Sequence, residues 1–486
     1  MPLSFNKYAV KALISAFLGL ISWNLNSQET DTLKKGIHQV ESEFYSTIFP
    51  KDYPSSEKGI QIPSKLITIL SKTLNRKVFG WHPYWASSTA YLSYDYESLS
   101  HIAYFSYEID TATGGYSTIR GWNTTPIIDY AHQKGTKVLL TVTNFGFSKN
   151  TEILTDTVKQ KYMINTLITL LKSRNGDGVN FDLESVSFSQ RVNLVNFIAL
   201  AVSMIKSEIP SAEISMATPA VDWNNSFNLK VLSELCDYLI PMCYNYYWST
   251  STTSGPVAPL SGETYNVVST LNTYLNSGVV SGKLFLGIPW YGLDWPVVGE
   301  GRKSTATGTA TSRTYSAAQQ IADEYNKIFD QSAKVPWVSY SSSSVWRQMW
   351  FEDAQSLTLK YNLANSMDLG GIGIWALSYE GVYNEAWEAI ISAFSAPEPE
   401  RNMIVRIYPN PVKGISKIEF TVVKKENITI SIYDLLGRER IVIVNEQLEP
   451  GFYSEEFNSE HFGQGIYLCV LEAGKLTSTS KIIITK

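Results

Sequence analysis

Short apolar runs alternate with longer amphipathic segments between residues 77 and 394. Each run is rich in β-branched and aromatic residues, as buried strands are. Eight such runs begin at Lys77, Leu99, Lys137, Gly176, Glu213, Cys236, Lys283 and Gly370. The segments between them, such as TVKQKYMINTLITLLKSRNG, carry apolar residues at three- and four-residue steps, which predicts helices with one buried face. The pattern therefore predicts eight strand-and-helix units.

Eight units of this kind favour the α/β class and a parallel (β/α)8 TIM barrel, whose functional site lies at the carboxyl ends of the strands. A doubly wound open sheet is the alternative, but no glycine-rich phosphate loop follows the first strand. The stretch before the eighth strand, about residues 296–369, is longer than one helix requires. We therefore expect an inserted α+β subdomain there, within a barrel domain of residues 76–395.

The pattern changes on both sides of this domain. Residues 396–402 form a charged, proline-containing linker, and residues 403–486 alternate short strands with turn residues, which predicts a small all-β sandwich. Residues 28–75 mix charge, proline and serine without clear periodicity. We interpret them as a linker or a propeptide-like segment.

The amino terminus has the layout of a secretory signal peptide. Lys7 and Lys11 precede an apolar run from Ala12 to Trp23, followed by a short polar stretch. We expect residues 1–27 to be this signal; an uncleaved anchor is the alternative. Three cysteines are present, and Cys236 and Cys243 lie near one predicted strand with side chains on opposite faces, so we expect buried free thiols.

Composition narrows the classes of partner. The net charge of −5 and pI near 5.7 provide no basic stripe for phosphates, so we expect no nucleic-acid partner. The chain has 13 Trp, 29 Tyr and 20 Phe. Aromatic side chains stack on sugar faces, although they also fill ordinary cores.

The segment GDGVNFDLES, residues 176–185, places polar residues inside an apolar strand. Because side chains alternate along a strand, Asn180, Asp182 and Glu184 share one face. This face would point into the barrel, with Glu184 at its mouth. Desolvation and a neighbouring carboxylate both raise a carboxyl pKa, which would suit Glu184 to general-acid chemistry. Acids that pair with cations or bind a metal are the alternative; we expect no metal.

Three motifs resemble glycoside hydrolase family 18, the chitinase-like barrel enzymes. DGVNFDLE resembles the family's DGxDxDxE signature, MCYN at 242–245 its MxYD motif, and GGIGIW at 370–375 its eighth-strand segment. The resemblance covers residues 77–394. It implies substrate-assisted catalysis without a cofactor, in which the substrate's N-acetyl oxygen attacks the anomeric carbon and configuration is retained.

The same resemblance implies roles for individual residues. Glu184 would be the general acid and then the base, Asp182 would hold the acetamido N–H, and the Tyr244 hydroxyl would bind the acetyl oxygen. Trp375 would form the floor of the sugar site. The other implied site residues are Asn180 in the catalytic group and Met242, Asn245, Trp81 and Asp177 in substrate binding.

Two positions depart from the commonest family pattern, since Asn180 and Asn245 stand where Asp is usual. An amide can still hydrogen-bond to Asp182, so we expect the network to survive with less charge. Asn180 and the stretch VWRQMWFEDAQSLTLKYNLA at 345–364 resemble the chitobiase-like and spore-cortex-hydrolase branches. If the insertion walls one end of the cleft, short chains or chain ends would be preferred.

The tail carries YPNPV at 408–412 and SIYDLLGRE at 431–439. It resembles the C-terminal sorting domain of the type IX secretion system of Bacteroidetes-type bacteria, which implies that machinery as a partner; a carbohydrate-binding sandwich is the alternative. We expect a secreted or surface-attached monomeric hydrolase of β-1,4-linked N-acetylglucosamine glycans. Chitin and its oligosaccharides come first, then peptidoglycan or N-glycan cores. A catalytically inactive chitin-binding lectin and an adhesive surface protein are the other hypotheses.

Overall fold

The structure, a computed structural model, describes residues 35–49, 74–395, 403–474 and 476–486. The chain divides after Phe394 into two compact units. The expected signal peptide, residues 1–27, and the expected linker, residues 396–402, lie outside the described residues.

Eight parallel strands form a closed barrel in the first unit. In chain order, the strands of this unit are β1 (Lys77–Pro83), β2 (His101–Ile109), β3 (Tyr116–Thr118), β4 (Lys137–Phe145), β5 (Gly178–Glu184), β6 (Glu213–Pro219), β7 (Tyr238–Met242), β8 (Phe285–Pro289), β9 (Tyr291–Val297), β10 (Thr311–Thr314), β11 (Ile328–Asp330), β12 (Val335–Ser342), β13 (Val345–Trp350) and β14 (Gly371–Trp375). The barrel order is β1-β14-β8-β7-β6-β5-β4-β2, and pairing of β1 with β2 closes it. All eight predicted strands are confirmed.

The first unit also contains α-helices, most of which connect barrel strands. Those described are α1 (Ile37–Ser46), α2 (Ile127–Gln133), α3 (Phe147–Leu154), α4 (Thr157–Arg174), α5 (Arg191–Glu208), α6 (Leu229–Leu235), α7 (Val267–Asn276), α8 (Tyr315–Glu324), α9 (Ala354–Ser366) and α10 (Glu385–Phe394). Local sequence determines both ends of helix α4. The Asp156 side chain caps its first turn, and Asn175, left-handed at φ 55°, ends it.

Within the described part of the chain, one helical stretch, Phe188–Glu208, is long and apolar enough to cross a membrane by length and composition. It contains α5, whose residues Leu194, Phe197, Ile198, Ala201 and Ile205 are buried. The Phe197 ring contacts Phe181 of β5, with ring centroids 5.4 Å apart. This stretch therefore packs one apolar face against the barrel.

Strand β5 alternates as its sequence predicts. Val179 and Phe181 are fully buried in the hydrophobic core, and Asn180 and Asp182 are fully buried polar residues. At its start, Gly178 has φ +153°, and a Cβ there would lie 1.9 Å from the carbonyl oxygen of Glu213. Glycine is thus required for the close approach of β5 to β6.

The predicted insertion is a five-stranded antiparallel sheet, ordered β10-β9-β13-β12-β11 and accompanied by α8. It begins at β9, directly after β8, and ends at β13, so α9 is the last crossover helix of the barrel. Our boundaries of about 296–369 differ because the apolar run of β8 continues into β9. Asp294, fully buried, binds Arg313 and Arg347 and holds this sheet together.

The second unit is an all-β sandwich, as predicted. Its strands are β15 (Met403–Tyr408), β16 (Ile415–Val422), β17 (Glu426–Asp434), β18 (Glu439–Leu448), β19 (Gly451–Asn458), β20 (Gly465–Ala473) and β21 (Leu476–Ile484). They form antiparallel sheets ordered β15-β16-β19 and β18-β17-β20-β21 around an apolar core. Cys469 is buried here, and Cys236 and Cys243 are buried in the first unit. All three are free, as expected.

Candidate active site

The carboxyl ends of the barrel strands bring together most of the predicted site residues. Asp182 and Glu184 end β5, Trp375 ends β14, and Tyr244 follows β7. Trp81 of β1 lies beside Trp375, with ring centroids 6.1 Å apart. Met242, the last residue of β7, is half-buried at the same end of the barrel.

The two acids of β5 form a coupled, desolvated pair. Asp182 is fully buried, and its Oδ1 has no hydrogen-bond partner among the described residues; the same is true of Glu184 Oε1. Burial raises the pKa of Glu184 well above its ordinary value, and the negative charge of Asp182 raises it further. The raised pKa favours the protonated form of Glu184, from which it can donate a proton to a leaving group.

Asn180 does not join this pair. Its Oδ1 accepts a hydrogen bond from Trp81 Nε1 at 2.9 Å, and its Nδ2 donates to Ser215 Oγ at 2.9 Å. The hydrogen bond to Asp182 that an amide at this position could make is not formed, because Trp81 across the barrel and Ser215 on β6 bind the amide instead. Asn180 thus positions the Trp81 indole below the two acids through this hydrogen bond.

Asn245 is held from the insertion side. It has a left-handed backbone, φ 57°, and its Oδ1 accepts a hydrogen bond from the Tyr291 hydroxyl at 2.6 Å. Tyr291 begins β9, and its ring packs edge-on against Tyr244 with centroids 6.0 Å apart. Asn245 therefore links the inserted sheet to the segment that positions Tyr244.

Asp177 lies apart from these residues. It precedes β5 at the amino end, where its Oδ2 binds His132 Nε2 and accepts from the Val138 backbone N–H, both at 2.7 Å. Seven strand residues separate it from the barrel mouth, a span of about 23 Å. The assignment of Asp177 to substrate binding does not fit this position, because the residue fastens the opposite end of the barrel.

Helix α1 occupies the mouth of the barrel. His38 is fully buried there. Its Nδ1 lies 2.7 Å from Asp182 Oδ2 and 3.7 Å from Glu184 Oε1, and its Nε2 lies 2.8 Å from the Tyr244 hydroxyl. The imidazole stacks on Trp375 with ring centroids 3.6 Å apart. One side chain from outside the barrel thus contacts all four of the main predicted site residues.

Glu41, one turn further along α1, binds the rim of the same site. Its carboxylate accepts from Trp375 Nε1 at 2.9 Å, the Tyr379 hydroxyl at 2.7 Å and Ser312 Oγ at 2.9 Å. Burial raises the pKa of Glu41, and these three donors oppose the rise. Ser312 belongs to β10, so the inserted sheet also contacts α1.

Helix α1 was not predicted, because its residue pattern differs from that of an amphipathic helix with an apolar face. Its buried face consists of Ile37, His38, Glu41 and Ser42, and Tyr45 stacks on Trp85 with centroids 4.7 Å apart. Because three of these four buried residues are polar, no apolar period marks the face. The available signal was the four-residue spacing of residues 37, 41 and 45.

His38, Asp182 and Glu184 also form a group that could hold a metal ion, since one ligand atom from each lies within 4.8 Å of the others. Both His38 nitrogens already have protein partners, Asp182 and Tyr244. Hydrogen bonding within the protein is therefore sufficient to explain the group.

Comparison with known proteins shows relatives of the barrel unit. The cortical fragment-lytic enzyme of Bacillus anthracis is 26% identical over 315 residues, covering 61% of this chain and 68% of that protein. Human di-N-acetylchitobiase is 23% identical over 337 residues, covering 61% and 80%. A chitinase of Cycas revoluta, solved with an N-acetylglucosamine tetramer, shares the fold with a TM-score of 0.60 and 17% identity, covering 66% and 99%.

Two family profiles together cover most of the chain. Residues 406–485 match the secretion system C-terminal sorting domain, which indicates export to the cell surface or beyond. Residues 77–380 match glycosyl hydrolases family 18. With its closed barrel and its paired acids on β5, the chain belongs to family 18 of the glycosyl hydrolases and is a glycoside hydrolase related to chitinases and chitobiases.

Proposed function

We propose that the barrel hydrolyses β-1,4-linked N-acetylglucosamine glycans, chitooligosaccharides first, with retention of anomeric configuration. The observation that carries the proposal is the arrangement of Asp182, Tyr244 and Trp375 around one small planar group. In the structure that group is the imidazole of His38, which lies flat on Trp375 with a nitrogen towards each of the other two residues.

An acetamido group has the same pattern of polar atoms. A carboxylate oxygen only accepts, so the His38 Nδ1–H donates to Asp182; in the tautomer with its single N–H on Nδ1, Nε2 accepts from the Tyr244 hydroxyl. The imidazole presents a donor and an acceptor on either side of one carbon. The N–H and C=O of an acetamido group are likewise attached to one carbon, and its methyl would lie against Trp375.

This arrangement supports substrate-assisted hydrolysis. Glu184 donates its proton to the glycosidic oxygen as the acetyl oxygen attacks the anomeric carbon, and the alcohol leaves. Asp182 binds the acetamido N–H and offsets the positive charge of the oxazolinium that forms, while Tyr244 orients the acetyl oxygen. Glu184, now ionised, removes a proton from water. The water attacks the anomeric carbon, which opens the oxazolinium ring and restores the acetamido group. The product is the β-anomer.

Binding beyond this group is proposed from position. Trp375 forms the floor of the sugar site and Trp81, fixed by Asn180, supports it from below. Met242 and Asn245 border the site from the end of β7. The inserted sheet brings Tyr291 and Ser312 to the same rim. A wall at this side favours short chains or chain ends over the middle of a polymer.

Two related substrates and one different function compete with this proposal. Peptidoglycan and N-glycan cores contain the same 2-acetamido group, and the name of the B. anthracis relative, a cortical fragment-lytic enzyme, favours testing the former. A chitin-binding lectin is favoured by the asparagines at 180 and 245. Retention of Asp182, Glu184 and Tyr244 supports the hydrolase, because a lectin has no use for a buried proton donor.

The deciding experiment is hydrolysis of defined chitooligosaccharides and purified peptidoglycan by the full chain and by the His38→Ala chain. Products are followed by NMR, with Glu184→Gln as control. Initial release of β-anomer that disappears in Glu184→Gln supports the proposal and identifies the polymer. Tight oligosaccharide binding without turnover in His38→Ala would instead establish the lectin. Export by the sorting domain, with type IX machinery as partner, is tested by locating the protein after deletion of residues 403–486.

A further inference from the structure

We propose that residues 35–49 are an intramolecular inhibitor that occupies the substrate site by presenting His38 in place of the acetamido group. The identity of the mimicked group rests on the proposed function. Occupation of the site rests on the contacts of α1 alone. We call residues 35–49 the plug.

The plug takes the polar atoms that a sugar would need. His38 engages Asp182 and Tyr244 and covers the face of Trp375. The Glu41 carboxylate accepts hydrogen bonds from the indole N–H of Trp375 and the hydroxyl of Tyr379. A saccharide in the same place would have to replace these contacts, so the plug and the substrate exclude each other.

The plug also covers the proton donor. Gly36 lies so close to Glu184 that a Cβ on it would be 1.8 Å from Oε2 and 2.8 Å from the carboxyl carbon. Gly36 has an ordinary extended conformation, φ −63° and ψ 161°; glycine is needed here for space rather than for backbone freedom. Main chain thus lies where a glycosidic oxygen would have to approach.

Contacts outside the sugar site hold the rest of the plug. Tyr45 stacks on Trp85 with rings 11° from parallel. The Tyr84 hydroxyl donates to the Ser42 carbonyl at 3.2 Å, and Arg120 Nη1 donates to the Phe49 carbonyl at 3.4 Å. The segment is therefore bound along its length, with His38 and Glu41 facing inwards and Glu43 and Phe44 exposed.

Covalent connection makes the competition strong. The plug joins β1 through residues 50–76, so its binding is intramolecular and its effective concentration is of millimolar order. Substrate binds only the fraction of molecules with the plug displaced, which raises the apparent KM by the inverse of that fraction. The kcat at saturation is unchanged, because saturating substrate keeps the plug out.

The test compares two glutamates of α1 in the full chain. Glu41→Ala removes the contacts with Trp375, Tyr379 and Ser312, whereas Glu43→Ala changes the exposed face two residues away. On chitooligosaccharides we expect KM to fall roughly tenfold or more in Glu41→Ala and in His38→Ala, with kcat unchanged. Glu43→Ala should match the unsubstituted chain. An unchanged KM in both Glu41→Ala and His38→Ala would overturn the proposal.

Hydrogen exchange gives a readout independent of turnover. In the unsubstituted chain, the amides of residues 40–46 should be protected, and N,N′,N″-triacetylchitotriose should increase their exchange in Glu184→Gln as it displaces the plug. Fast exchange of these amides without ligand would contradict the proposal. Protection that persists when the trisaccharide is bound would also contradict it. If exchange rises in His38→Ala but that chain neither binds nor cleaves any acetamido sugar, occupation stands and the proposed substrate is wrong.

Discussion

The Trp81 indole N–H donates to the Asn180 side-chain oxygen across the barrel, at 2.9 Å. An aspartate at 180 would keep this bond and could accept another from Ser215, so its charge would be satisfied. It would also add negative charge on the face that carries Glu184, about 13 Å away. At an effective dielectric constant near 20, the repulsion between two charges at this distance is equivalent to about one pH unit in the titration of the site.

We therefore predict that Asn180→Asp moves the alkaline limb of the kcat/KM profile upwards by about one pH unit, because Glu184 holds its proton more tightly. The pH dependence of chitooligosaccharide hydrolysis measures this shift. Asn245→Asp is the control: its oxygen still accepts from Tyr291, and at its half-buried position added charge is better screened. Equal shifts in the two variants would contradict the argument.

Gly36→Ala tests occlusion by volume alone. The added methyl carbon would lie 1.8 Å from Glu184 Oε2, while His38 and Glu41 keep all of their own groups. We predict that the plug is displaced and that KM falls at least as far as in His38→Ala, with kcat unchanged. Gly282→Ala, which adds a methyl where nothing lies within 4 Å, should leave KM alone; an unaltered KM in Gly36→Ala would mean that Glu184 simply moves aside.

Glu380 should make stability depend on pH. It is buried, its Oε1 accepts from Trp387 Nε1 at 3.2 Å, and its Oε2 has no partner among the described residues. Burial raises its pKa from 4.5 to about 7. The folded chain thus keeps a proton that the unfolded chain releases between these values, so the free energy of unfolding falls as pH rises through this window.

We predict that Glu380→Gln removes this fall, which is on the order of 3 kcal/mol by pH 8. The melting temperatures of variant and unsubstituted chain should agree near pH 4 and diverge progressively between pH 4.5 and about 7, with the variant higher. Glu388→Gln serves as control, because Glu388 lies on the exposed face of α10, the helix that carries Trp387. A gap that is constant across pH would show that Glu380 does not hold the extra proton.

Asp177→Ala should separate stability from activity. It removes the acceptor of His132 and of the Val138 amide, which should cost about 1–3 kcal/mol and lower the melting temperature by several degrees. At a temperature where both chains are folded, KM and kcat should be unchanged. Asp182→Ala should show the opposite result, with activity lost and no comparable destabilisation.

The barrel could be predicted because its information is local. Eight apolar runs, each bounded by helical segments, identify strands without knowledge of their neighbours, and the convergence of Asp182, Glu184, Tyr244 and Trp375 follows from strand direction. The boundary of the insertion was less accurate because Trp290 and Tyr291 continue the apolar run of β8. Nothing in the run itself marks where the barrel ends and the inserted sheet begins.

The contacts of Asn180 and the position of α1 could not be predicted in the same way. Asn180 has three polar candidates within the barrel, and only side-chain packing shows that Trp81 and Ser215 take it. Helix α1 buries polar residues, among them Glu41, of a type that ordinarily faces solvent, so its pattern resembles that of a linker. In both cases the deciding partners are distant in sequence.

The segment that begins with Asp177 and Gly178 and ends with Glu184 carries two kinds of information on one strand. Its first residues, Asp177 and Gly178, bind α2 and allow the close approach of β6. Its last residues include the two acids, Asp182 and Glu184. A descendant that had lost catalysis would still be selected to keep Asp177 and Gly178. Matches to the opening of this motif therefore report ancestry and folding, and only its closing residues distinguish a working enzyme from an inactive copy.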